Sequence, residues 1–228
     1  MAAAGRLPDQ QVRAMFDRIA GVYDLMNGVM TAGMHHRWRS RAADLARASA
    51  GSRMLDVATG TGDLAIEMAG RGAEVVGVDF SERMLDLARE KAPHLLFSAE
   101  DAHHLSFADG SFDGATVGFG ARNFGDLRQG LSEMARVVKP GGRVVVLEIT
   151  TPSKPPLSTF FSLWFDRAVP ALGKVAGDPD AYTYLPASVK RFPDARSLAA
   201  LMHDVGLRDV GWILTAGGII AIHHGTKG

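Results

Sequence analysis

The stretch of this sequence that most constrains the fold is residues 54–80. An apolar run leads into a turn that contains Gly60 and Gly62. A helical pattern follows, and a second apolar run ends at the carboxylate of Asp79. Apolar runs joined by a glycine-rich turn and a helix are typical of the strand–turn–helix–strand unit of a doubly wound sheet. The stretch therefore predicts one nucleoside-binding half of an α/β fold.

The same motif leaves the identity of the nucleoside open. Gly60, Gly62 and Ala65 satisfy the G-x-G-x-x-G/A dinucleotide pattern, and Asp79 lies 19 residues after Gly60, close to the ~20 of NAD sites. An acid at the end of the second strand can accept hydrogen bonds from both hydroxyls of a ribose, whatever the rest of the ligand is.

Asp56 favours a cationic ligand. A carboxylate inside an apolar strand end is unusual, because a buried charge needs a partner. The sulfonium and ammonium of S-adenosylmethionine would supply one, whereas the pyrophosphate of NAD would be repelled. The alternative is that Asp56 only accepts hydrogen bonds from the amides of its own turn.

The overall composition excludes several classes of function. The 228 residues are 46% hydrophobic and 22% charged, with a formal net charge of zero, which predicts one globular domain over residues 1–228. The neutral charge balance gives no electrostatic case for a nucleic-acid partner. The absence of cysteine excludes disulfides and a thiol nucleophile. With no secretory signal pattern and no apolar run of about 18–20 residues, we expect a cytoplasmic enzyme.

Strands alternate with helices through a predicted cofactor-binding core, residues 51–150. We predict strands in the runs that begin at Met54 and Val75 and at residues 95–99, 112–119 and 143–149. This alternation predicts a mostly parallel sheet, whose ligands bind at the carboxyl ends of the strands. Several polar or glycine-rich loops then converge at one edge: residues 56–62, Asp79, Asp101 and residues 118–123.

The ends of the chain complete the predicted fold. Residues 9–48 are read as two helices with a break between Gly28 and Gly33, and Tyr23 near that break belongs either to a solvated helix end or to a lid. Residues 194–228 are read as a closing helix and two strands joined by a tight turn, which forces antiparallel pairing. The predicted fold is a doubly wound, seven-stranded, mostly parallel sheet with a final antiparallel strand.

Residues 151–193 interrupt the alternation and are read as a helical insertion. The segment 157–172 is apolar and aromatic but contains Asp166, Arg167 and Pro170, so it is too short and too charged to span a bilayer. It suits a lid that binds an apolar substrate or touches a membrane surface. The alternative is a helix buried against the core or in a homodimer interface.

Other enzyme classes lack their motifs in this chain. A short-chain dehydrogenase needs a Tyr-x-x-x-Lys pair, and no tyrosine here has lysine at that spacing. Three histidine doublets begin at His35, His103 and His223, but there is no H-E-x-x-H, so no metal site is predicted. No G-x-S-x-G elbow indicates acyl transfer. A non-catalytic nucleotide-binding module stays open, although it would not need the loop Arg122–Asn123.

Motifs from Val12 to the C-terminus resemble the class I S-adenosylmethionine methyltransferases. More closely, they are similar to the family that C-methylates demethylmenaquinone or its ubiquinone-pathway counterpart. The Y-D-x-x-N start, the F-G-x-R-N loop and the ending are the most specific. The segments that carry the resemblance are Phe16–Asn27, Leu55–Ala65, Val76–Ser81, Gly118–Asn123, Lys139–Gly142 and Leu214–Gly225.

The resemblance implies a set of cofactor contacts. Thr61 and its flanking glycines would hold the methionyl part, Asp79 the ribose hydroxyls, and Asp101 and Ala102 the adenine. Many relatives carry Ser where this chain has Gly118, so only a backbone contact is implied there. The full implied set is Asp56, Gly60, Thr61, Gly62, Asp79, Phe80, Asp101, Ala102 and Gly118.

The resemblance also implies a prenylated quinol as methyl acceptor, most closely demethylmenaquinol. A ubiquinone-pathway benzoquinol or another small molecule is the alternative. Arg122 would stabilise the phenolate that makes the ring carbon nucleophilic, unless it forms a structural salt bridge; as a poor base it would act electrostatically. Tyr23 and Asn123 would contact the substrate. Such a substrate suggests contact with the inner face of a membrane.

Overall fold

The computed structural model describes residues 9–31, 33–152, 155, 159, 161, 163 and 179–228. Its helices are α1 (Asp9–Thr31), α2 (His35–Leu45), α3 (Asp63–Ala69), α4 (Glu82–Lys91), α5 (Leu127–Val137), α6 (Pro179–Arg191) and α7 (Ala195–Asp204). Its strands are β1 (Arg53–Val57), β2 (Glu74–Asp79), β3 (Leu96–Ala99), β4 (Phe112–Gly118), β5 (Val138–Ile149), β6 (Leu207–Thr215) and β7 (Ile220–Lys227).

Within the described residues, seven strands form one sheet in the order β3-β2-β1-β4-β5-β7-β6. Strands β1 to β5 pair in parallel, and β7 pairs antiparallel with both β5 and β6. The predicted fold class, including the final antiparallel strand, is confirmed. The order of the strands reverses between β1 and β4, and this switch point is where an open α/β sheet leaves room for a ligand.

Helices cover both faces of the sheet, because alternate strand residues enter two different clusters. On β5, Val144 and Val146 join a core with helices α5 and α7, whereas Val145 and Leu147 join a core with α2 and α3. All four valine and leucine side chains are buried. A strand covered on both sides reads as a continuous apolar run, which is why the sequence made this strand easy to predict.

Short polar side chains set the helix starts. Ser81 Oγ caps α4 by accepting a hydrogen bond from Met84 N at 3.2 Å. Asp126 caps α5 and Asp194 caps α7 in the same way. Each cap satisfies an amide that has no partner inside its helix and contributes about 1 kcal/mol. These caps fix where α4 and α5 begin beside the carboxyl edge of the sheet.

Two sequence-based expectations, about where α1 ends and where β5 begins, need correction. Helix α1 continues through Gly28, and the break falls only at Gly33, whose φ of +75° suits glycine. Packing of a long apolar face outweighs the weak helix propensity of one glycine. The strand predicted at residues 143–149 begins earlier, at Val138, and residues 140–142 lie within it as a register shift opposite residues 112–114 of β4. Tyr23 and Asn27 therefore lie within α1, and the structure does not describe their side chains.

The insertion prediction falls mostly on residues that the structure does not describe. Of residues 157–172, only 159, 161 and 163 are described. Phe161 is buried against Val189 of α6, whereas Leu163 is exposed. Helix α6 packs on α1 through Tyr184 and Leu185. The end of the 151–193 segment therefore lies beside α1, near the carboxyl edge of the sheet.

Candidate active site

A cavity of about 270 Å³ opens at the carboxyl ends of β1, β2 and β4. The turn after β1, the end of β2, the segment after β3 and the loop after β4 all reach it. Residues of α1 and α2 form its remaining walls. Its lining includes Val12, Phe16, Arg39, Asp56, Ala58, Thr59, Gly60, Thr61, Asp63, Asp79, Phe80, Asp101, Ala102, His103, Gly118, Phe119 and Asn123.

The residues predicted from the sequence mostly meet here. Every residue of the implied cofactor set lines the cavity except Gly62, and Asn123 lines it too. Gly62 acts through its backbone instead: it caps α3 with a φ of +84°, and an added Cβ would lie 3.1 Å from Phe97 Cζ. Tyr23 lies in α1, and its side chain is outside the description.

Asp56 organises the turn after β1. Its Oδ2 accepts from Thr59 Oγ1 and its Oδ1 from Thr116 Oγ1 of β4, both at 2.6 Å. The side chain is 1% exposed, and burial raises its pKa to about 6 despite the two hydroxyls and nearby Arg39. Asp56 thus ties β1 to β4 while placing a carboxylate at the cavity wall.

Asp79 ends β2 with its carboxylate held by two backbone amides. Oδ2 accepts from Gly60 N and Oδ1 from Ser81 N, each at 2.9 Å. Burial raises the pKa of Asp79 to about 6, although these amides favour the charged form. A carboxylate offers about four lone-pair sites, so each oxygen keeps capacity for a further donor such as a ribose hydroxyl.

Two non-glycine residues on the cavity wall adopt left-handed backbone conformations. Ala58, after β1, has φ of +51°, and Phe119, after β4, has φ of +60°. Such conformations cost about 1–3 kcal/mol each and cluster at ligand sites. A Cβ on the neighbouring Gly120 would lie 2.5 Å from Ala58 Cβ. The two loops therefore touch across the switch point; no sequence pattern indicated the positive φ of Ala58 and Phe119.

His103 is a further cavity residue that sequence reasoning missed. Its Nδ1 lies 2.6 Å from Asp101 Oδ1, and its Nε2 accepts from Asp126 N at 2.9 Å. An acceptor at Nε2 assigns the hydrogen to Nδ1, which then donates to Asp101. His103 therefore connects the segment after β3 to the N-terminus of α5 and holds Asp101 in place.

Arg122 is not among the residues that line the cavity. Its Nη1 donates to Glu148 Oε1 of β5 at 2.8 Å and to the Phe119 carbonyl oxygen. Both partners of the ion pair are buried, with side chains 8% and 1% exposed. The neighbouring Asn123 does face the cavity, and its Oδ1 accepts from Tyr184 Oη of α6 at 3.1 Å.

A charged cluster forms the wall where α2 meets α3. Arg39 Nη2 lies 3.0 Å from Asp63 Oδ2, and Lys91 Nζ lies 2.8 Å from Asp63 Oδ1 and 2.9 Å from Thr61 Oγ1. These charges lower the pKa of Asp63 below its usual value, although burial opposes them. Arg39 and Asp63 line the cavity, and the sequence motifs predicted neither.

Helix α1 covers part of the cavity. Val12 and Phe16 line it, and the Phe16 ring meets the Phe80 ring edge to face, with centroids 6.4 Å apart. Asp17 Oδ1 accepts from Ser81 Oγ at 2.5 Å. The first turns of α1 therefore lie over the cofactor edge of the sheet.

The histidine doublets do not gather into a metal site within the described residues. Among the described residues, no three His, Asp or Glu side chains converge on one point. His35 Nδ1 pairs with Thr31 Oγ1 at 2.6 Å, and His223 Nε2 donates to the Ala195 carbonyl oxygen at 2.8 Å.

In the part of the chain that the structure describes, no helix is both long and apolar enough to cross a bilayer.

Comparison with known proteins identifies close relatives over almost the whole chain. The profile of the ubiE/COQ5 methyltransferase family matches residues 5–227. A demethylmenaquinone methyltransferase of Corynebacterium kroppenstedtii is 43% identical over 219 residues, which are 96% of this chain and 95% of that protein. One of Thermus thermophilus is 46% identical over 220 residues, covering 93% of this chain and 100% of that protein.

Solved structures share the fold at low sequence identity. One is an S-adenosylmethionine-dependent methyltransferase of Thermotoga maritima, described as a possible histamine N-methyltransferase. It superposes with a TM-score of 0.68 at 19% identity, covering 94% of this chain and 99% of that chain. This similarity supports the architecture of the sheet and its helices.

Proposed function

Because the chain belongs to the ubiE/COQ5 methyltransferase family, we propose that it is an S-adenosylmethionine-dependent enzyme that C-methylates demethylmenaquinol to menaquinol. The observation that carries the proposal is the convergence of the family's motif residues on one cavity at the switch point. Parallel strands end at the same edge of the sheet, so the loops that carry these residues already lie close together.

The residues of the cavity suit S-adenosylmethionine. Asp79 keeps lone pairs for the ribose hydroxyls, and Asp101 and Ala102 sit beside it for the adenine. Asp56, which lines the same cavity, would provide negative charge for the sulfonium. When bound, the cofactor supplies an electrophilic methyl group, so the protein chiefly positions the reactants and excludes water.

The acceptor is proposed to enter beside the loop after β4. Asn123 faces the cavity and is held by Tyr184 of α6. Its amide is suited to hydrogen-bond a quinol hydroxyl, and Tyr23 of α1 remains a predicted substrate contact. Arg122 lies behind this loop, where its bond to the Phe119 carbonyl oxygen fixes the turn. We therefore assign Arg122 a positioning role, with its charge acting on the phenolate only through space.

The naphthoquinol is favoured over the ubiquinone-pathway benzoquinol by the names of the relatives. Both relatives compared above are called demethylmenaquinone methyltransferases. A prenylated acceptor would be delivered from a bilayer, so we propose peripheral contact with the inner face of the membrane through residues 151–193. The exposed Leu163 supports this role. A homodimer through the same segment is the competing proposal.

Substrate turnover tests this assignment. We expect demethylmenaquinol in detergent micelles to be methylated with a much higher kcat/KM than a water-soluble catechol, because the prenyl chain adds apolar burial. A prenylated benzoquinol serves as the matched control, since it keeps the chain and changes only the ring. Equal kcat/KM for the prenylated and soluble acceptors would contradict a lipid substrate.

A further inference from the structure

Arg39 has a buried guanidinium nitrogen that the fold does not use. The residue is 8% exposed and lines the cavity. Its Nη2 pairs with Asp63, but no described residue accepts a hydrogen bond from its Nη1. A buried donor without a partner typically costs about 1–3 kcal/mol, and native proteins seldom keep one without a reason. Its position on the cavity wall suggests that a ligand supplies the missing acceptor.

The charges around Arg39 favour an anionic acceptor. Asp63 lies between two cations, Arg39 at 3.0 Å and Lys91 at 2.8 Å. One carboxylate facing two cations leaves this cluster with one formal positive charge. Asp56 lies close enough to act on Arg39 electrostatically, but its oxygens accept from the hydroxyls of Thr59 and Thr116 rather than from Arg39. A carboxylate is the group whose geometry an arginine fork matches best.

The position of the cluster matches one end of the proposed cofactor. Asp79 and Asp101 line the cavity from β2 and from the segment after β3, where the adenosine is placed. Arg39 and Asp63 line it from α2 and the start of α3, beyond β1. A ligand whose ribose lies at Asp79 would extend its other end across the β1 turn toward Arg39. In S-adenosylmethionine, that end carries the α-ammonium and the α-carboxylate.

We propose that Arg39 binds the α-carboxylate of the methionyl group of S-adenosylmethionine through its unpartnered Nη1. The proposal rests on the proposed function and adds the residue that recognises the only anionic group of the cofactor. Asp63 holds the guanidinium in position from the other side, and Asp56 stands near the α-ammonium. Arg39 thus makes the site selective for ligands that retain the amino-acid carboxylate.

The alternative is that Arg39 serves only to join α2 to α3 through Asp63. Under that alternative, loss of the side chain would weaken every ligand equally, because the cavity wall itself would shift. Under our proposal, the loss depends on whether the ligand has a carboxylate. A comparison of two ligands therefore separates the two roles more sharply than any measurement of activity.

The test is calorimetric binding of S-adenosylmethionine and of its decarboxylated analogue to the full chain. We expect Arg39→Met to weaken S-adenosylmethionine by about 10- to 100-fold, the range for a charge-assisted hydrogen bond. Affinity for the decarboxylated analogue should stay within about twofold, since it has nothing for Nη1 to bind. Arg39→Lys should recover part of the loss because it keeps the charge without the fork.

Arg71→Met is the matched control, because Arg71 also joins α2 to α3, through Asp44 and Glu67, without lining the cavity. It should leave both affinities unchanged. An equal loss for both ligands in Arg39→Met, or no loss for either, would overturn the proposal while leaving the methyltransferase assignment intact. Failure of the wild-type protein to bind S-adenosylmethionine would instead overturn the proposed function.

Discussion

Asp79→Asn is expected to weaken S-adenosylmethionine binding by about 100-fold. The carboxylate can accept hydrogen bonds from both ribose hydroxyls, and each such bond to a charged group is worth about 1.5 kcal/mol or more. Gly60 N and Ser81 N each donate to a different oxygen of Asp79, and asparagine keeps only one acceptor oxygen, so its NH2 group must face one of these two donors. Calorimetry with the purified variant measures the change. Tight binding by the variant would exclude Asp79 as the ribose acceptor.

The pH dependence of binding provides a second measure of the same residue. Burial raises the pKa of Asp79 to about 6, and the same holds for Asp56. Below that pH both carboxyls become protonated, so wild-type affinity should fall by about tenfold per pH unit for each group that must ionise. Asp79→Asn should show a shallower fall. Asp86→Asn, on the exposed face of α4, is the control and should match the wild type.

Arg122→Met is expected to lower the free energy of unfolding by about 3 kcal/mol or more. The substitution leaves the Glu148 carboxylate buried without its cation, and breaking a buried pair typically costs about 3–5 kcal/mol. Adding Glu148→Gln should recover much of this loss, because the neutral amide removes the unpaired buried charge. Its single oxygen can still accept from one of the two backbone amides, of residues 122 and 149, that donate to Glu148. Denaturant unfolding of the single and double variants measures the coupling.

Arg128→Met is the matched control for the arginine at position 122. Arg128 pairs with Asp204 at 2.8 Å, but both side chains are more than half exposed, so its loss should change stability little. If Arg122→Met keeps its stability and instead loses a factor of about 10²–10³ in kcat, the guanidinium acts on the reaction directly, as the sequence resemblance implies.

The cofactor half of the site was predictable because its signals are local. The apolar run, Gly60, Gly62 and Asp79 follow each other in one supersecondary unit, and the spacing places the acid at the end of β2. The continuous apolar run Val144–Leu147 of β5 likewise reflects burial on both faces of the sheet. In these elements local propensity and tertiary packing favour the same structure, so the sequence pattern is sufficient to predict them.

The features of the site that the sequence did not predict depend on contacts between segments that are distant in the chain. Arg39 reaches the cavity only because α2 packs on α3, and Arg122 points at Glu148 because β5 lies beside the loop after β4. The positive φ of Ala58 and Phe119 has no sequence signal, since neither is glycine. Helix α1 passes Gly28 because packing outweighs local propensity. Such features become visible only when the whole sheet is assembled.

The most direct test of the central claim is transfer of a deuterium-labelled methyl group from S-adenosylmethionine to demethylmenaquinol by the purified protein. The account predicts that the quinone product carries the intact labelled methyl on a ring carbon, as mass spectrometry and NMR would show. Asp79→Asn should reduce label transfer at limiting cofactor. Label on an oxygen, or no label in the quinol while soluble acceptors are methylated, would contradict the account.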